Sequence, residues 1–200
     1  MNADPESVLD FWFGAPGSAS EVAGRQRKLW FGKSAENDRA VSERFKDTLT
    51  AAAHGQFDHW AQGPHGRLAL VIVLDQFPHH IFRDQPQAFA TDPQALALSL
   101  AALSASEDLQ LTPIERVFLY LPLEHAESLE MQARSVSLYE KLAGQAAADE
   151  RALFDGFLDY ARKHLEVVAR FGRFPHRNAI LRRASTPDEL EFLKQPGSRF

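Results

Sequence analysis

A chain of 200 residues with 44% apolar side chains, including 15 Phe, can bury a sizeable core, which excludes a disordered protein. The absence of cysteine excludes disulfides, thiolate nucleophiles, Fe–S clusters and cysteine-ligated zinc. A net charge of −5 argues against duplex nucleic acid, whose phosphates reward an extended basic face.

In chain order, the first segment, Met1-Asn2-Ala3-Asp4-Pro5-Glu6, has no basic stretch leading into an apolar one, so no secretory signal is expected and the protein reads as cytoplasmic. Asp4-Pro5, Asp92-Pro93, Thr112-Pro113 and Thr186-Pro187 each read as an N-cap acceptor followed by a first-turn proline. Glu115 and Glu189 complete capping boxes at the last two. Apolar residues at helical spacing follow: Val41, Phe45 and Leu49; Leu96, Leu100 and Leu103; Phe154, Phe157, Leu158, Ala161, Leu165 and Val168. The apolar run 68–74 is too short for a bilayer, which needs about 20 residues, and reads as a buried helix ending before Pro78. A helix begun at Thr112 is expected to break or kink at Pro122. Gly172 is expected to end the helix that runs from about residue 148, and Pro175 to prevent its resumption. The fold class is therefore all-α: roughly eight to ten helices in antiparallel pairs, within one domain covering 1–200. Trp12-Phe13-Gly14 and Trp30-Phe31-Gly32 echo one another, but no repeat signature recurs along the chain.

Two segments crowd ionisable groups among aromatics and prolines: Leu74-Asp75-Gln76-Phe77-Pro78-His79-His80-Ile81-Phe82-Arg83 and Arg170-Phe171-Gly172-Arg173-Phe174-Pro175-His176-Arg177-Asn178. Apolar neighbours desolvate such charges, so each needs a partner in the protein or in a ligand. Asp75, at the end of the apolar run, is expected to meet Arg83, Arg173 or His176. Residues 162–183 hold seven Lys/Arg against the single acid Glu166, a net of +6 that leaves −11 for the rest of the chain. The acidic remainder can neutralise them internally. Alternatively Arg173, His176, Arg177 and Asn178 form an anion site, because arginine forks match carboxylate and phosphate. His125 follows the Pro122 kink, and His164 sits near the edge of an apolar helix face. With Asp75 and His176 they are weak candidates for an acid–base cluster. Metal-ligand spacing is poor, with no H-E-x-x-H or E-x-x-H and with His79 and His80 adjacent, so no metal is expected; no phosphate loop, serine elbow or dinucleotide fingerprint calls for a cofactor.

Three readings stand. The first is a binding module in which Asp75, Gln76, Arg83, His125, Arg173, His176, Arg177 and Asn178 hold a small anion or a peptide carboxylate. The second is a metal-independent hydrolase or isomerase built on the His/Asp cluster. The third is a purely architectural ionic lattice, in a scaffold or a homo-oligomer.

The residues Val8-Leu9-Asp10-Phe11-Trp12-Phe13-Gly14, Leu74-Asp75-Gln76-Phe77-Pro78, Ile81-Phe82-Arg83, Leu121-Pro122-Leu123-Glu124-His125, His164, residues 170–178 and Ser185-Thr186 resemble the bacterial domain-of-unknown-function family 924 over nearly the whole chain. The resemblance implies a tetratricopeptide-like superhelical fold and no established activity. The chain departs from the family pattern in having His79-His80 where Arg-Asn is usual, and Leu181-Arg182-Arg183 where Leu-Gly-Arg is usual. A ligand shared by the family's polar positions would then be bound more weakly, or with altered pH dependence, here.

Overall fold

The computed structural model describes residues 3–198, and those residues form α-helices and shorter helical turns with no strand. The ten α-helices are α1 (Pro5–Phe13), α2 (Ala19–Phe31), α3 (Ala35–Ala53), α4 (Pro64–Val71), α5 (Phe77–Ile81), α6 (Asp92–Ser104), α7 (Pro113–His125), α8 (Leu129–Gln145), α9 (Arg151–Phe171) and α10 (Pro187–Phe192). Consecutive helices pack on one another through α6–α7–α8–α9, while α4 lies against α1 and α6 and α5 lies against α3. Among the described residues no helix is long and apolar enough to cross a membrane.

The core is organised around Trp12, which has no exposed surface. Its ring meets Phe118 at 5.5 Å, Phe77 at 5.7 Å and Trp30 at 6.4 Å, so one side chain ties α1 to α7, α5 and α2. Trp30 donates its indole N–H to the Trp12 carbonyl at 2.8 Å. The echoed Trp-Phe-Gly segments thus pack on each other. A second, smaller cluster joins Val167, Val168 and Phe174 to Phe171 and Phe192 at the C-terminal side.

Capping geometry follows the expected chemistry at Asp4, Thr112 and Thr186, each with a reciprocal box. At Asp92-Pro93 it does not: Thr91 is the N-cap and Asp92 is the first helical residue, its side chain directed elsewhere. The buried face of α6 is Ala95, Ser99 and Ala102, with the expected leucines at its flanks; small residues let α6 approach α4 closely. Neither proline breaks its helix. Helix α7 runs through Pro122 to His125, held by burial of every residue from Val117 to Glu124. The 68–74 run does not stop before Pro78 either. It passes from α4 into a π turn, Ile72–Gln76, and on into α5. Pro78 has no N–H to offer the Leu74 carbonyl, and Thr91 Oγ1 donates to that carbonyl at 2.6 Å instead.

Gly172 ends α9 in the left-handed conformation at φ 70°, as expected. Arg182 also lies there, at φ 55°, on an exposed turn. A β-carbon in that region is strained, which is the physical reason a glycine suits the position. Arg182→Gly is expected to stabilise the protein by about 0.5–1 kcal/mol in urea unfolding; an unchanged or lowered midpoint would show that the arginine side chain offsets the strain.

Candidate functional site

The π turn sets the site. It carries two consecutive polar side chains, Asp75 and Gln76, both buried. Asp75 has no exposed surface. Its Oδ2 accepts from Gln76 Nε2 at 2.6 Å and its Oδ1 from His125 Nδ1 at 2.8 Å. Since an ionised carboxylate only accepts, the Nδ1 proton of His125 is fixed toward Asp75 and Nε2 is the ring nitrogen outside that bond. Burial pushes the Asp75 carboxyl up, but the charge and hydrogen bond of His125, with His79 and Gln76, hold it below the ordinary range. Burial likewise opposes the charged form of His125, and Asp75 outweighs it, leaving the imidazole more basic than usual.

Around this ion pair the other groups are driven neutral. His79, whose ring is 5.5 Å from that of His125, falls to about 3 through burial and the neighbouring charge. His164 falls to about 3, chiefly through burial; its Nδ1 lies 2.9 Å from the Tyr160 carbonyl and 3.2 Å from Glu124 Oε1. His176, against the Phe174 ring at 5.7 Å, falls to about 4 through burial and Arg177. Glu124 rises to about 8, first through burial and then through Asp75, so it is a neutral acid at pH 7.

Arg177 enters from the turn after α9. Its guanidinium sits 4.6 Å from the Phe89 ring and 4.7 Å from the Phe174 ring, with an 8% exposed side chain. Its Nη1 donates to Asp92 Oδ2 at 3.2 Å, while Arg177 Nε, Asp92 Oδ1 and His79 Nε2 have no hydrogen-bond partner among the described residues.

Of the residues singled out in the sequence, Asp75, Gln76, His125, His164, His176 and Arg177 are brought together. The partner of Asp75 is His125 rather than an arginine or His176, because the π turn aims the carboxylate at the end of α7. His164 lies inside the buried stripe of α9, not at its edge. Three candidates sit elsewhere. Arg83 forks onto Asp38 at 2.7 and 2.6 Å, and His80 joins the same carboxylate at 2.9 Å. Arg173 forks onto Glu189 at 2.6 and 2.9 Å, beside a surface depression of about 450 Å³ in which Arg170 also meets Asp188. Asn178 bridges Ser185, Glu189 and Arg183. These pairs fix the C-terminal turn, as do the bonds from Phe174 N and Arg183 to Glu127. Sequence reading missed His79, Asp92 and Glu124. Asp92 was taken for a cap, and 85 residues separate it from Arg177. Among the described residues no group of three or more His, Asp or Glu is placed to hold a metal ion.

A family model described as a bacterial protein of unknown function (DUF924) matches residues 8–197. The solved structure of a protein of unknown function from Agrobacterium tumefaciens is similar at 35% identity, covering 95% of this chain and 96% of that one, with a TM-score of 0.80. No curated protein matches the chain.

Asp75→Asn is expected to cost about 3–5 kcal/mol in denaturant unfolding, as for removal of one partner of a buried pair, and to lower the His125 pKa seen by NMR; a loss below about 1 kcal/mol would show the pair to be well solvated. Glu124 is protonated when folded and ionised when unfolded between about pH 4.5 and 8. Its contribution is therefore complete below that window and fades by about 1.4 kcal/mol per pH unit as pH rises through it. Glu124→Gln should remove that slope, so the variant gains on the wild type from pH 5 to 8; parallel stability curves would contradict it.

Proposed function

The chain belongs to DUF924, a family of bacterial proteins of unknown function, so its role must be read from its own geometry, and we propose that it binds a small anion, or the carboxylate of a peptide, at Arg177. The observation that carries this is a contrast within the molecule. Arg83–Asp38, Arg173–Glu189 and Arg183–Glu127 are all two-pronged, with bonds of 2.6 to 2.9 Å. Their arginines are 25–31% exposed. Arg177 is the most buried of the four and makes the poorest pair, one bond of 3.2 Å with its Nε left over. A desolvated cation is the one that needs compensation most. Two aromatic rings stand over its guanidinium carbon, and the leftover Nε is one of the donors that a carboxylate or phosphate fork takes.

The Asp75–His125 pair supports a second reading, a metal-independent hydrolase or isomerase. A carboxylate held on both oxygens orients the imidazole, and Nε2 can give or take a proton. That reading requires a substrate turned over by the wild type and not by His125→Asn, while the anion still stabilises the variant.

Thermal unfolding against phosphate, sulfate, acetate and a short peptide with a free or amidated C-terminus tests the binding. An anion at about a hundred times its dissociation constant adds roughly 2.7 kcal/mol, which raises the midpoint by about 5–10 °C for a chain of this length. Arg177→Gln should abolish the shift. No shift with any of these anions would remove the reading.

A further inference from the structure

Resting on that reading of Arg177, we propose that the Asp92 carboxylate is an internal stand-in for the ligand, and that the ligand is a small monocarboxylate which displaces Asp92 outward as it binds. Asp92 has no structural task that holds it in place. Thr91 occupies the N-cap position of α6 with its hydroxyl given to the Leu74 carbonyl, and Asp92, one residue later, makes a single 3.2 Å contact with Oδ1 unpartnered among the described residues. It is also the outer member of the pair, 17% exposed against 8% for Arg177. Rotation about its side chain carries the carboxylate toward solvent in the first turn of a 13-residue helix, where negative charge is tolerated. The space and the donors it leaves are those of one carboxylate. Burial and Asp75 push the Asp92 carboxyl up to about 6, the mark of an anion that its own partner fails to hold down.

The charges facing the site set the ligand's charge. From the π turn comes Asp75, matched by His125 of α7; α7 also gives Glu124, which burial keeps neutral. Helix α5 gives His79, α9 gives His164 and the following turn gives His176, all neutral at pH 7 by the same cause. Glu127, which also faces Arg177, is taken up by the fork of Arg183, so with Asp92 swung out Arg177 is the one cation at the site whose charge is unmatched. A single negative charge balances it, whereas a dianion would place its second charge near the buried Asp75. Two aromatic faces and the volume of an Asp side chain restrict the ligand's size to that of acetate or a slightly larger acid.

Calorimetric titration of sodium acetate and of inorganic phosphate into the wild type, Asp92→Asn, Asp92→Ala and Arg177→Gln tests this, with circular dichroism confirming that each variant is folded. An occupant that must leave lowers the apparent affinity by the fraction of open sites, so both Asp92 variants are expected to bind acetate at least about tenfold more tightly than the wild type. Arg177→Gln should bind neither ion. Equal acetate affinity in the wild type and both Asp92 variants overturns the displacement and leaves the anion site standing. Phosphate binding more tightly than acetate in the Asp92 variants overturns the monocarboxylate. Absence of binding of either ion to the wild type and to both Asp92 variants overturns the inference and the anion site together.

Discussion

A carboxylate with no surface of its own constrains everything near it. Asp75 stays ionised inside the protein only because His125 meets one oxygen and Gln76 the other. Those two bonds hold the π turn with consecutive polar side chains, Asp75 and Gln76, both buried. They also demand that α7 end where it does, with His125 at its last turn. The groups around the pair have no such compensation, so burial holds three imidazoles and one carboxyl neutral. Arg177 is the exception, a buried cation whose partner is weak, and that contrast is what places the proposed anion site there.

The prolines show how the same region is kept helical. A proline removes one backbone donor, and its cost depends on what becomes of the carbonyl left behind. At Pro78 the Leu74 carbonyl is taken by the hydroxyl of Thr91. This bond occupies Thr91 and sets the start of α6 one residue earlier than the Asp-Pro signal suggests. Asp92 is thereby released from capping and turned toward Arg177. A single local defect in one helix thus reaches the charge pairing at the start of another.

How much of this was legible in the sequence depended on the range of the cause. Helix type, the capping boxes at Thr112 and Thr186 and the end of α9 at Gly172 rest on interactions a few residues long, and the sequence shows them. The continuation of helices through Pro78 and Pro122 was not legible, because burial from distant elements and a hydroxyl 17 residues away decide it. Six candidate residues converge because each is a polar group embedded in an apolar pattern. Arg83, Arg173 and Asn178 carry the same pattern but pair locally with Asp38 and Glu189, a choice made by three-dimensional proximity. Asp92 and Glu124 gave no signal of their own: one resembled a cap, and the other became a neutral acid only on burial.

Arg177 belongs to a C-terminal segment that has its own small cluster, Val167, Val168 and Phe174 with Phe171 and Phe192, separate from the main core. Its polar ties to the rest run through Glu127 and Asp92. A ligand gripping Arg177, as proposed above, would add a bond between this segment and the main core, and by linkage whatever loosens the segment would also expel the ligand. Occupancy of the proposed site and docking of this segment would then be one equilibrium, so that the segment's exposure to proteases would report on whether the site is filled.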